Sequence, residues 1–167
     1  MIINPRRAIE EGWIRVREED IESLGYPPFN PEKQTQQNGI DLRLTQVNTI
    51  LSESAFKISG SLNEYLAESL GSFYLQRLVP YELWMVEFVE VPKDVCAIIK
   101  VRSTFNRKGC SMHAGLYDSG FQNYVEVVAY PFQDVVIPRF ERVCQIIFME
   151  AESASLYNGQ YQFKGEK

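Results

Sequence analysis

The densest run of groups able to do chemistry lies at residues 102–121, RSTFNRKGCSMHAGLYDSGF. It opens with the cations Arg102, Arg107 and Lys108, and the hydroxyls of Ser103 and Thr104 stand beside the first of them. Guanidinium groups and hydroxyls so placed suit the many acceptor oxygens of a phosphate chain, because charge-assisted bonds to phosphate are short and strong. The run then passes a small-residue turn, Ala114-Gly115, and closes on Asp118 within Tyr-Asp-Ser-Gly. A carboxylate close to a phosphate chain can orient and deprotonate a water. On pattern alone the same residues also fit an Arg-rich surface loop followed by a β-turn.

Composition bounds what can hold these groups. A chain of 167 residues, 45% hydrophobic and 23% charged, has the length and apolar share of one globular domain with a real core. The expected division is a single domain over residues 1–155 and a flexible arm over 156–167. A net charge of −5 argues against a general nucleic-acid binder, which would carry a basic face. It leaves room for a nucleotide, since a few local cations suffice for a triphosphate. Cys96, Cys110 and Cys144 are odd in number and lack metal-ligand spacing, so they read as free, reduced thiols of a cytoplasmic protein. His113 is the only histidine, and no His-based zinc site can form within one chain. Arg6 and Arg7 are not followed by an apolar run, so no signal peptide is expected. No apolar run reaches the length of a membrane span.

The elements follow from local punctuation. Asn4-Pro5 starts a helix that Gly12 stops, and residues 13–16 form a short strand. A second short helix is expected over residues 18–24, ending at Gly25. Residues 26–31 form a Pro-rich extended loop, and 32–38 are polar and expected to be mobile. Residues 39–44 alternate apolar and polar as a strand does; by themselves they suit an edge strand exposing Asp41 and Arg43. Irregular short strands are expected over 45–60 and a peripheral helix over 62–70. Strands are expected over 74–79, 83–91, 95–101, 124–130, 135–138 and 142–150, with turns at the Pro and Gly breaks. Many short strands of this kind make an all-β sandwich or distorted barrel with a few short helices.

Five segments carry a resemblance to the dUTPase and dCTP deaminase superfamily. Arg-Ser-Thr-x-x-Arg-x-Gly at 102–109 is similar to its Arg-Ser-Ser-x-x-Arg-x-Gly segment. Ala-Gly-Leu-Tyr-Asp-Ser-Gly-Phe at 114–121 resembles the dUTPase segment A-G-V-I-D-x-D-Y. N-G-I-D-L-R-L at 38–44 and R-V-C-Q-I-I-F at 142–148 resemble its first and fourth motifs, and the strand run from residue 74 resembles the lead into the Arg-Ser motif. The N-terminus and the tail, Y-N-G-Q-Y-Q-F-K-G, look more like those of the deaminases.

The resemblance implies a β-clip fold and dUTP diphosphatase activity, giving dUMP and pyrophosphate. Asp118 would be the general base. Arg102, Ser103, Thr104, Arg107 and Gln145 would hold the phosphates. Backbone groups around His113, Ala114, Gly115 and Leu116 would read the base, and Phe121 would pack on the deoxyribose. Tyr161, Gln162, Phe163 and Lys164 belong to an arm expected to close over the nucleotide. Mg²⁺ would ride on the phosphates without a direct protein ligand, with Asp41 near one of its waters. A homotrimer with sites between subunits is implied too, with no nucleic-acid or membrane partner.

Two positions depart from the dUTPase pattern: Phe121 stands where Tyr is usual, and D-S-G-F lacks a second acid. The alternatives are a dCTP deaminase, a bifunctional enzyme, or a catalytically weak nucleotide-binding regulator. Deaminases carry a Glu ten residues beyond the Asp of their D-P-G-W turn. Ten residues beyond Asp118 stands Val128, which cannot move a proton, although Glu126 lies two residues away on the same strand face.

Overall fold

The structure, a computed structural model, describes residues 1–50 and 71–164. The helix expected over 62–70, and most of the irregular stretch before it, lie outside the described residues.

The helices follow their caps. α1 (Pro5–Glu10) begins with the Asn4 side chain accepting the Arg6 amide at 3.0 Å, and the chain leaves it through Gly12 at φ +74°. Only glycine takes such a φ without strain. After the short strand β1 (Ile14–Arg15), α2 (Glu18–Leu24) carries three acids in its first turn, where the helix dipole favours them, and ends at Gly25 with φ +64°. Where the extended loop meets the polar stretch expected to be mobile, there is a further turn of helix, α3 (Pro31–Gln34). Asn30-Pro31 repeats the device of Asn4-Pro5, with the Asn30 side chain accepting the Lys33 amide at 3.0 Å. Gln34 turns inward, donating to Asp41 O at 2.9 Å and to Glu87 Oε1 at 2.8 Å.

The strands are β2 (Ile40–Thr49), β3 (Ser72–Leu75), β4 (Tyr81–Glu90), β5 (Val95–Val101), β6 (Cys110–His113), β7 (Gln122–Pro131), β8 (Val135–Pro138) and β9 (Arg142–Glu150). A large antiparallel sheet runs β5-β9-β2-β4-β7-β6, with β1 added on β4, and β3 pairs β8 separately. The fold is mostly β, as the strand pattern led one to expect. On β7, Val125, Val127 and Ala129 point into the core while the residues between them face outward, the two-residue period of a half-buried strand. Register shifts in β2 and β4 let the sheet curl. The curl brings its edges together: after β6, Tyr117 pairs with Ala97 on β5 through bonds of 2.8 and 2.9 Å, so the sheet nearly closes into a barrel. Leu42, Leu44, Leu83, Met85, Val125 and Ile146 fill its middle.

β2 is a central strand, between β4 and β9, and not an edge. Its alternate polar residues are therefore buried. Arg43 is 7% exposed and Glu87 on β4 is fully buried. Glu87 Oε1 accepts Arg43 Nε at 2.7 Å, and Oε2 accepts the Arg43 amide at 2.9 Å. Burial pushes the Glu87 carboxyl up, against the pull of Arg43 and the bond from Gln34. Arg43 Nη1 also donates to Pro28 O at 3.1 Å, tying the Pro-rich loop to the sheet.

Candidate active site

The candidate residues divide between the two ends of β5. At its C-terminal end the strand delivers Arg102 into a one-turn helix, α4 (Ser103–Arg107). The sequence suggested a loop there; the buried ring of Phe105 pins the turn to the barrel and leaves Ser103, Thr104, Arg107 and Lys108 exposed. Arg102 is held from behind. Its Nε lies 3.0 Å from Asp41 Oδ2, and its Nη1 donates to Arg142 O at 2.8 Å. Asp41 Oδ2 also receives Arg142 Nη1 and Gln36 Nε2, each at 3.2 Å, while Oδ1 is buried with no hydrogen-bond partner. Burial pushes the Asp41 carboxyl up, opposed by Arg102 and Arg142. Gln145 pairs across the sheet with both Asp41 and Lys100. Its side chain occupies the space beside Gly39, where an added Cβ would come within 2.9 Å of Oε1. Three residues from distant segments thus meet, Asp41, Arg102 and Arg142, with Gln145 opposite Asp41 on the neighbouring strand. Arg142 was missed as a site residue, although it opens the R-V-C-Q motif.

At the N-terminal end of β5 stands the Asp118 turn. Tyr117 is buried, its ring edge-on to Phe121 at 5.0 Å, and its hydroxyl donates to Glu126 O at 2.7 Å. Asp118 is exposed in a cleft of about 500 Å³ lined by Cys96, Leu116, Ser119 and residues 151–158. Ser119 is buried and donates to Val95 O at 2.5 Å. Gly120, at φ +86°, turns the chain into Phe121, which is 9% exposed and packs between Tyr117 and Tyr157. His113, opposite Val128, sets its ring against Tyr130 at 5.7 Å, and Ala114, Gly115 and Leu116 are exposed beside it. From Ala97, the partner of Tyr117, to Arg102 is five residues of extended chain. At the rise of a strand that is roughly 16 Å. One chain therefore does not bring Asp118 to the Arg102 cluster.

The described part of the arm lies against its own chain. The Phe163 ring sits 5.1 Å from Phe88 and 6.2 Å from Tyr124, under the Arg17 guanidinium at 4.6 Å. Gln162 bonds the backbone of Gly120 and Gln122, whereas Tyr161 and Lys164 are exposed. Arg17 gave no signal in the sequence, because its partners are far along the chain.

Glu126 faces outward on β7, directly across from Trp84 of β4, and its carboxyl hydrogen bonds Glu82. Glu82 also accepts Asn48 Nδ2 at 2.8 Å and Trp84 Nε1 at 2.9 Å. Burial and the neighbouring Glu82 push the Glu126 carboxyl up to about 7. Burial raises Glu82 too, but the bonds from Glu126, Asn48 and Trp84 outweigh it and hold that carboxyl low. A raised folded value for Glu126 stabilises the fold below the unfolded value of 4.5, and that contribution is lost as pH rises to about 7. Urea midpoints measured at about pH 5 and pH 8 should fall more for the wild type than for Glu126→Gln. Equal falls would show that Glu126 keeps no proton in the folded state.

Among the described residues, no group of three or more His, Cys, Asp or Glu side chains is gathered to hold a metal ion. Among them also, no helix is long and apolar enough to cross a membrane.

The chain is similar to known proteins over most of its length. It is 36% identical over 144 residues to a Methanopyrus kandleri protein named probable deoxyuridine 5'-triphosphate nucleotidohydrolase, covering 80% of this chain and 91% of that one. It is 28% identical over 167 residues to a dCTP deaminase of Sulfurisphaera tokodaii, covering 95% of this chain and 83% of that one. Among solved structures, the 2'-deoxycytidine 5'-triphosphate deaminase of Agrobacterium tumefaciens superposes with a TM-score of 0.64 at 16% identity, over 88% of this chain and 47% of the other, which supports the fold. Residues 7–151 match the dCTP deaminase-like family, and the chain belongs to it.

Proposed function

We propose that this protein hydrolyses dUTP to dUMP and pyrophosphate. The observation that carries the reading is the exposed Asp118 on an A-G-L-Y-D-S-G-F turn, in a chain whose Arg-Ser-Thr segment presents cations at the other end of β5. The relative at 36% identity bears the name of that hydrolysis.

The reaction centre joins the two ends of β5 from neighbouring copies in a homotrimer. Phosphates bind at Arg102, Ser103, Thr104, Arg107 and Gln145 of one copy. His113, Ala114, Gly115 and Leu116 of the next hold the base, and Phe121, fixed by Tyr117 and Tyr157, forms the sugar wall. Asp118 takes a proton from a water as its oxygen bonds to the α-phosphorus. The bond from that phosphorus to the bridging oxygen breaks, and pyrophosphate leaves. The Ser103 hydroxyl donates to the bridging oxygen as charge develops on it. Asp41 and Arg142 hold the Arg102 guanidinium ready before substrate arrives.

Mg²⁺ would lower the charge of the phosphates and fix their geometry. The residues present fit an ion carried by the substrate rather than by the protein, since the Asp41 carboxylate is engaged by two arginines through Oδ2. Its Oδ1, buried without a hydrogen-bond partner, would be the atom left to accept from a water of that ion.

One observation favours a second reading. The Glu126 carboxyl, hydrogen-bonded to Glu82 and pushed up to about 7 by burial and that neighbour, lies on the residue whose backbone oxygen accepts the Tyr117 hydroxyl, and a value near neutrality suits a group that moves protons in deamination. The deciding experiment incubates the protein with dUTP and with dCTP and measures pyrophosphate and ammonia. Pyrophosphate from dUTP without ammonia from dCTP is expected. Ammonia release that Glu126→Gln abolishes would establish the deaminase instead. Tight dUTP binding with no product would leave a nucleotide-binding regulator.

A further inference from the structure

We propose that Gln162 is a positioning residue for Asp118, acting through the turn that carries it, with Phe163 as its anchor; the inference rests on the hydrolase reading above. Through the bonds of the Gln162 amide the arm holds the turn that carries Asp118.

The Asp118 carboxylate is exposed, and its aim depends on the backbone that follows it. On the barrel side that backbone is tied down: Gly120 N donates to Val91 O and Val91 N to Phe121 O, each at 2.8 Å. On the outer side the ties come from the arm. Tyr157 N donates to Ser119 O at 2.7 Å, and Phe163 N donates to Gln122 O at 2.7 Å. Between them the Gln162 amide makes a two-point contact: Nε2 donates to Gly120 O at 2.9 Å, and Oε1 accepts the Gln122 amide at 3.1 Å. A primary amide has both a donor and an acceptor and so matches a backbone edge; a carboxylate or a methyl does not. Asn123 Nδ2 adds a bond to Tyr161 O at 2.9 Å.

Two further features mark this as a built contact. Gly120 makes room for the arm, since a Cβ there would come within 3.0 Å of Leu156 Cβ and 3.2 Å of Tyr157 N. The Phe163 anchor sits in a prepared slot. Arg17 covers its ring, Phe88 and Tyr124 flank it, and the slot is cross-linked by Arg17 Nη1 to Tyr124 Oη at 3.0 Å and by Tyr124 Oη to Asp20 Oδ2 at 2.6 Å. A catalytic group has to be held within about 0.5 Å of its productive place, so a loosened turn costs turnover before it costs binding.

The test compares the full-length wild type with Gln162→Ala and Phe163→Ala in steady-state pyrophosphate release from dUTP. It also measures hydrogen exchange at the Gln122 amide without nucleotide. Both variants should lose about tenfold or more in kcat with KM within about twofold. The Gln122 amide, protected in the wild type, should exchange faster in Gln162→Ala, with circular dichroism melts unchanged. A raised KM at unchanged kcat would make the arm a cover over bound nucleotide and overturn the inference, as would unchanged kinetics in both variants. An active wild type with indifferent variants defeats this inference alone, whereas a wild type that turns over no dUTP defeats the hydrolase reading and the inference with it.

Discussion

Asp118→Asn should release pyrophosphate from dUTP about 10²–10⁴-fold more slowly than the wild type, with dUTP affinity changed by no more than a few-fold. The amide keeps the shape of the side chain and can still orient a water. It cannot accept the proton that the water must lose as it bonds to phosphorus. The cost to the fold should be small, because Asp118 is exposed on a turn held by Ser119, Gly120 and Phe121 rather than by its own carboxylate. Single-turnover pyrophosphate release and calorimetric titration with a non-hydrolysable dUTP analogue separate the two effects. Near-normal turnover in this variant would remove Asp118 from the chemical step. A large loss of affinity with normal turnover would make it a binding group instead.

The largest effect on stability should come from Glu87→Ala, which is expected to cost about 3–5 kcal/mol in urea unfolding. The loss would come less from the missing bonds than from what they leave behind. Arg43 is 7% exposed, and its Nη2 is already buried without a partner. Removing Glu87 strips the acceptor from Arg43 Nε and from the Arg43 amide, and frees Gln34 from β4. An unpaired guanidinium in the barrel wall is far more costly than an apolar pair of similar volume. Replacing both partners, Glu87→Leu with Arg43→Met, should therefore recover much of the loss. A Glu87→Ala midpoint within error of the wild type would mean that water reaches Arg43 and that the pair is not buried in solution.

Much of this architecture was legible in the residues. α2, β5, β8 and β9 begin and end where Gly, Pro and the alternation of apolar residues put them. α1 follows from Asn4-Pro5 and Gly12. The failures have physical causes. α3 and α4 are too short to show a helical period, although Asn30-Pro31 repeated a cap already recognised at Asn4-Pro5. The bare pattern also suited an edge strand exposing Asp41 and Arg43, because alternation tells which residues share a face but not whether that face meets solvent. Their partners, Arg102, Arg142 and Glu87, lie on strands brought beside β2 only by the sheet order. The motifs named Arg102, Asp118 and Gln145 individually. That Arg102 and Gln145 gather at one end of β5, with Asp118 at the other, became visible only through the bridge from Tyr117 to Ala97. The docking of Phe163 beneath Arg17 links the two termini, and no local pattern announces such a contact.

In the proposed homotrimer, the two ends of β5 act as one centre only across copies. Mixing and refolding equal amounts of Asp118→Asn and Arg107→Glu tests it most directly. Arg107 is exposed, so its reversal should abolish phosphate binding without harming the fold. Each variant alone should be nearly inactive on dUTP. In the mixed oligomers a centre is intact when one copy supplies Asp118 and its neighbour supplies Arg107, so activity should return to about a quarter of the wild type. Mixtures no more active than the separate variants would contradict the account and place the whole centre within a single chain.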